Sequence, residues 1–179
     1  MEAKLTLTSE TALVVLDIHG NVRVKGSDGL EVFAESKDDD AKLELETTDE
    51  GVIVHSKASC SVLVPRKAYI QAVVHGNAAF KALEGELLLE VIHGNLDLRG
   101  VGPTHVELVH GNLEAKNILG ELKIEKLEGN ASVRDVQGAF NVERLEGNLQ
   151  LDDVDGGASA QVDGNVSLRL DPVPEAVYH

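Results

Sequence analysis

Residues 111–155 read GNLEAKNIL GELKIEKLE GNASVRDVQ GAFNVERLE GNLQLDDVD, five consecutive units of nine residues that each begin with glycine. The glycine series extends on both sides, from Gly76 to Gly164, with slips to eight at Gly94–Gly102 and Gly156–Gly164. Every second glycine is followed by asparagine: Asn77, Asn95, Asn112, Asn130, Asn148 and Asn165. The full period is therefore about eighteen, made of two unlike nine-residue halves. A fixed short period of this kind is the signature of a stacked repeat.

With glycine as position one, positions three, five and eight are apolar. They read Leu122, Ile124, Leu127, then Ala131, Val133, Val136, then Phe140, Val142, Leu145, then Leu149, Leu151, Val154. Positions three and five alternate with polar residues at four and six, as in a strand with one buried face. Position eight is expected to turn inward after a short corner, and glycine at position one to supply a backbone bend that other residues resist. Helices fit poorly, because a glycine every nine residues would cost each about 1 kcal/mol relative to alanine. Two units then close one coil, and coils stack in parallel about 4.8 Å apart. The expected fold is all-β, a single-stranded parallel β-helix (β-solenoid) of about eighteen residues per coil. Parallel crossovers are almost always right-handed, so a right-handed coil is expected.

Upstream, the pattern is looser. Gly20-Asn21 precedes Val22 and Val24, and the 56 residues from Gly20 to Gly76 match about three coils of eighteen. Residues 1–179 are read as one solenoid: irregular N-terminal coils over 1–68, regular glycine-spaced coils over 69–171, and a tail over 172–179. A separate small β-domain over 1–68 stays open as an alternative. Counted from Gly20, about eight coils make a rod of roughly 40 Å. Residues 1–16 are available to cap the first coil, and Pro172 and Pro174 to end the ladder.

Composition narrows the function classes. Of the 179 residues, 42% are hydrophobic but only 3% aromatic, with no Trp, so the core is built from Leu, Val, Ile and Ala. A net charge of −15 argues against nucleic acid and against anionic membrane surfaces. The single cysteine, Cys60, excludes an internal disulfide and reads as a small core residue or, less simply, a thiol nucleophile. The opening MEAKLTLTSE lacks the layout of a signal peptide, and no apolar run is long enough to span a bilayer. The chain thus reads as cytoplasmic. One trimmed of a signal or anchor, and so belonging at the cell envelope, would read the same way.

Stacking places equal positions in columns. The Gly-Asn asparagines form one column, suited to hydrogen bonds from coil to coil and to a left-handed corner. The residue before each Gly-Asn forms another: His75, His93, His110, Glu128, Glu146, Asp163, with His19 at the earlier Gly-Asn. His75, His93 and His110, with Glu128, offer donors for a divalent metal, or simply stack ring on ring. Side chains along one line point in parallel, which opposes chelation. Position six carries Lys81, Arg99, Lys116, Arg134, Asp152 and Arg169 on the Gly-Asn face, against Glu90, Glu107, Glu125 and Glu143 on the other. Such striping supports solvated faces, or pairing of two solenoids basic face to acidic face.

Chemical motifs are sparse. The corners read GNL, GEL or GNA rather than the GGxGxD of calcium β-rolls, and no nucleophile elbow, P-loop or dinucleotide fingerprint occurs. No catalysis and no cofactor are expected.

The Gly-Asn strand with Val22 and Val24, then LEVFA at 30–34, SVLVPR at 61–66, Ile70 to Val74 and the repeated HGN and LEGN units carry a resemblance. Over residues 12–171 the chain resembles the bacterial putative-adhesin domains of unknown function called toast-rack domains, and more distantly the head-GIN domains. The resemblance implies a right-handed β-helix without catalytic residues, in a group with envelope-attached members linked to stress responses or adhesion. The chain is thus expected to be a scaffold or adhesin-like module, self-associating through a face or an end, or engaging an unidentified protein or glycan. The alternative is a ligand-binding protein for a carbohydrate or a metal.

Overall fold

The computed structural model describes residues 1–9 and 11–169. The expected tail over 172–179, with Pro172 and Pro174, lies outside them. No helix occurs among these residues, and none is therefore long and apolar enough to cross a membrane. Along the chain come β1 (Glu2–Thr6), β2 (Leu13–Ile18), β3 (Val22–Ser27), β4 (Glu31–Glu35), β5 (Glu44–Thr47), β6 (Gly51–Ser56), β7 (Cys60–Pro65) and β8 (Tyr69–Val74). There follow β9 (Ala78–Lys81), β10 (Leu87–Ile92), β11 (Leu96–Val101), β12 (Thr104–Val109), β13 (Leu113–Ile118) and β14 (Leu122–Leu127). The series ends with β15 (Ala131–Val136), β16 (Phe140–Leu145), β17 (Leu149–Val154), β18 (Ala158–Val162) and β19 (Val166–Arg169).

These strands form two mixed, mostly parallel sheets, of ten and nine strands, an arrangement compatible with a β-solenoid. From β8 onward the chain alternates between the sheets, and each strand pairs in parallel with the strand two elements on. Leu113 is in register with Ala131 and Ala131 with Leu149, so equal repeat positions lie side by side. Positions three, five and eight of the units starting at Gly120, Gly129 and Gly138 are all buried. Phe80 and Phe140 are the largest buried side chains in a core otherwise of Leu, Val, Ile and Ala, with Cys60. Each fully buried aliphatic chain contributes about 1.5–3 kcal/mol.

Three expectations are corrected by the backbone. The strands run through position eight without a corner. In the Gly-Asn half the change of phase comes instead from a left-handed residue at position seven, seen at Ala82, Gly100, Asn117, Asp135 and Asp153, with φ between 54° and 59°. The asparagines after glycine are not left-handed. Nor do the corner glycines sit there for φ: only Gly100 and Gly157 have positive φ. A Cβ on Gly94 would instead lie 2.8 Å from the Gly76 carbonyl carbon, so glycine lets successive coils approach closely.

The N-terminal coils are not stacked in chain order. In one sheet the order is β7-β3-β9 and in the other β8-β2-β6, so the β2–β3 coil lies between β6–β7 and β8–β9. Gly20 thus abuts Gly76 directly, not three coils away. The intervening chain covers the far end with antiparallel strands: β4 on β7, β1 on β4, and β5 on β6. The cap is made by β1, β4 and β5, whereas residues 13–16 belong to the β2 coil rather than covering it. Leu7, Ala41 and Leu43 are buried beneath this cap.

Candidate functional site

The Gly-Asn corners line up into one continuous ladder. The backbone N–H of Asn77 donates to Asn21 Oδ1 at 2.7 Å, and that of Asn95 to Asn77 Oδ1 at 2.8 Å. The ladder continues through Asn112, Asn130, Asn148 and Asn165 at 2.8–2.9 Å. At its start Ser59 Oγ replaces the amide oxygen and accepts from Asn21 N–H at 2.9 Å. Each side-chain carbonyl satisfies a corner N–H that no strand partner reaches, which is a structural role. Along this column and the outer face of its sheet runs an open trough, lined also by Arg23, Ala79, Asp97, Glu114, Ser132 and Gln150. No aromatic side chain lines it, so it lacks the flat platform on which sugar rings commonly stack.

One residue earlier, the histidines stack. Ring centroids are 4.5 Å apart for His19–His75, 4.9 Å for His75–His93 and 5.1 Å for His93–His110, with interplanar angles of 10–17°. Parallel rings direct their nitrogens the same way, so His75, His93 and His110 do not converge on a point. The column then changes chemistry: His110 Nδ1 lies 2.6 Å from Glu128 Oε2. Lys126 bridges Glu128 at 3.1 Å and Glu146 at 3.5 Å, and Arg144 follows, 3.7 Å from Glu146. Glu128 is held below the usual carboxylate range, first by its hydrogen bond with His110 and then by that from Lys126. Lys126 is correspondingly raised, chiefly by Glu128.

Two members of the basic row at position six are engaged within their own sheet. Arg99 lies 3.1 Å from Asp97 and 3.5 Å from Glu114, and Arg134 3.5 Å from Asp152. In the acidic row, Glu125 meets His105 at 3.0 Å and Glu90 accepts from Gln71. Burial pushes the Cys60 thiol up to about 11, opposed only by a hydrogen bond with Ser56.

One grouping escaped the repeat-based reading. Asp17, His19 and His55 place one ligand atom each within 4.8 Å of one another. The signal lay in VVLDIHGN (14–21), which matches IQAVVHGN (70–77) position for position and would have set the two strands side by side.

No protein-family profile matches the chain, nor does any curated protein. Among solved structures, it is similar to a putative cell adhesion protein from Clostridium sporogenes, at 10% identity and a TM-score of 0.35, over 96% of this chain and 99% of that one. It is also similar to a putative adhesin from Parabacteroides merdae, at 13% identity and a TM-score of 0.35, over 96% of each chain.

Proposed function

We propose that this chain is a right-handed β-solenoid that serves as a non-enzymatic, adhesin-like interaction module and binds a second copy of itself through the open end of its stack. One observation carries this reading. Val166 and Leu168 occupy inward positions of the last strand yet are 50% and 60% exposed, whereas Leu149 and Leu151 at the same positions one coil earlier are 2% and 1% exposed. Among the described residues, β18 and β19 are the last strands of their sheets, each with a single paired neighbour. Edges of this kind template further strands. The opposite end is covered by antiparallel β1, β4 and β5, and pairing of the β18–β19 end with the same end of a second copy gives a two-fold dimer.

Other features favour a binding role over catalysis. The Cys60 thiol is neutral at physiological pH, and the surface is acidic, with a net charge of −15. Pairing through charged faces is less favoured, since Arg99 and Arg134 already have partners in their own sheet.

Light scattering over a concentration series at low and high salt tests the reading. The expected result is a concentration-dependent dimer that persists in high salt and is lost in Leu168→Glu. A monomer at every concentration would overturn it. A dimer dispersed by salt would move the contact to the striped faces.

A further inference from the structure

The stacked column offers no converging donors, but beside its first member three side chains do converge. Asp17 and His55 are register partners on the adjacent strands β2 and β6, and His19 follows two residues after Asp17. The Asp17 carboxylate faces both imidazoles, with Oδ2 2.9 Å from His55 Nδ1 and Oδ1 3.7 Å from His19 Nε2. We propose that Asp17, His19 and His55 form a binding site for a divalent transition metal of the zinc class.

The donor set fits such an ion, since two imidazoles and one carboxylate suit borderline metals better than calcium or magnesium. The spacing fits as well. Ligands held about 2.1 Å from a tetrahedral ion lie roughly 3.4 Å from one another; Asp17 Oδ2 lies 2.9 Å from His55 Nδ1, Asp17 Oδ1 lies 3.7 Å from His19 Nε2, and one ligand atom of each residue lies within 4.8 Å of the others.

The site is also held in place before any ion arrives. The parallel ladder fixes Asp17 beside His55. The His19 ring is clamped between a stacked contact with His75 at 4.5 Å and an edge contact with His55 at 5.7 Å. Stacking engages the ring faces and leaves the nitrogens at the ring edge available. The three side chains are 34–47% exposed, so an ion can reach them from solvent. Three protein ligands leave at least one coordination position for water or for a group from another molecule. The site lies toward the capped end of the stack, away from β18 and β19, and stands independently of the proposed dimer.

Zinc calorimetry and cobalt(II) absorption spectra on the full chain test the assignment, using wild type, His55→Ala, Asp17→Asn and His93→Ala. The expected result is one ion per chain, with visible cobalt bands of a four- or five-coordinate site. Loss of an outer-shell partner alone weakens metal sites by about 10–100-fold, so His55→Ala and Asp17→Asn should cost at least about tenfold. His93→Ala, which touches only the stack, should bind as wild type does. Absence of saturable binding in wild type, or undiminished binding in Asp17→Asn, would overturn the proposal. Loss in His93→Ala with retention in Asp17→Asn would overturn it in favour of the column. Asp17→Asn keeps the size of the native side chain and one of its two acceptor oxygens, so it carries the test should His55→Ala fail to fold.

Discussion

Replacing Gly111 by alanine tests why a glycine stands at each corner. The substitution reduces the freedom of the unfolded chain, which at a compatible site stabilises by about 0.4–1 kcal/mol. Gly111 is not a compatible site. An added Cβ would lie 2.5 Å from Asn95 Oδ1, 2.6 Å from the Gly94 carbonyl oxygen and 2.7 Å from its carbon. Relieving those contacts needs the corners to part by at least about 0.6 Å. Such a shift stretches two hydrogen bonds beyond useful length, Gly111 N–H to Gly94 O at 3.1 Å and Asn112 N–H to Asn95 Oδ1 at 2.9 Å. At about 1 kcal/mol each, together with residual crowding, the loss is about 2–3 kcal/mol. The net effect is a destabilisation of roughly 1–2.5 kcal/mol, read as a fall in Tm of about 3–8 °C. Gly29→Ala is the control, because its Cβ would meet nothing closer than 3.9 Å; that variant should melt at or slightly above wild type. Equal melting of Gly111→Ala and wild type would refute the close-approach account and with it the tight stacking of corners.

The left-handed column makes a separable claim: Gly100, with φ of 59° and no atom nearer than 4.0 Å to an added Cβ, should lose about 1 kcal/mol as Gly100→Ala through backbone strain alone. Ala82→Gly at the same position, φ 56°, should gain a few tenths of a kcal/mol in urea melts, and unchanged midpoints in both variants would remove strain from the account. Cys60 should resist iodoacetamide at pH 8 in the folded protein and react once urea unfolds it, because its thiol is held near 11. The unfolded chain ionises this thiol first as pH rises, so stability should decline between about pH 9 and 11; a Cys60→Ala variant that declines equally would disprove the linkage. Glu128 is depressed by His110 and Lys126, so its contribution is present above the ordinary carboxylate range and is lost as pH falls through its lowered value. Wild type should therefore exceed Glu128→Gln slightly at pH 7 and converge with it in acid, and a constant gap down to about pH 3 would contradict the pairing.

The local layer of this fold was legible because each coil repeats its neighbour. Alternation at positions three and five, the return at eight, and the columns of asparagine and histidine all follow from equal spacing, and Leu122, Ile124 and Leu127 are buried as that spacing requires. What spacing does not encode is the order in which coils are laid down. Counting residues from Gly20 to Gly76 as stack height assumes that the chain never turns back. Antiparallel β4 and β5 turn it back twice, since both return over strands that lie outside the β2–β3 coil. The left-handed position was hidden for another reason. Ala82, Gly100, Asn117, Asp135 and Asp153 share a conformation but no residue type, because the neighbouring coils hold that turn in place whatever the side chain. The Asp17–His19–His55 grouping was missed because only His19 falls in a column that the repeat defines.

The inverted order of the first coils links the topology to the candidate site. Laid down in chain order, β2 would end the stack and β6 would lie next to β8, placing His55 rather than His19 nearest the His75 corner. Inserting β2 between β6 and β8 gives it two parallel partners, so Asp17 has His55 on one side and Val73 on the other. The same insertion seats His19 on His75 and starts the column at a ring whose edge still faces His55. The long-range pairing that encloses the β2–β3 coil therefore also orders the three donors. Folding must close the loop from Ile18 to Ser56 before those donors meet, so a metal that binds them rewards a long-range contact of the N-terminal half. Zinc should accordingly slow unfolding of the capped end while leaving the β18–β19 end unchanged, a contrast that hydrogen exchange along the two sheets can read. Uniform protection from one end to the other would show that the ion acts elsewhere.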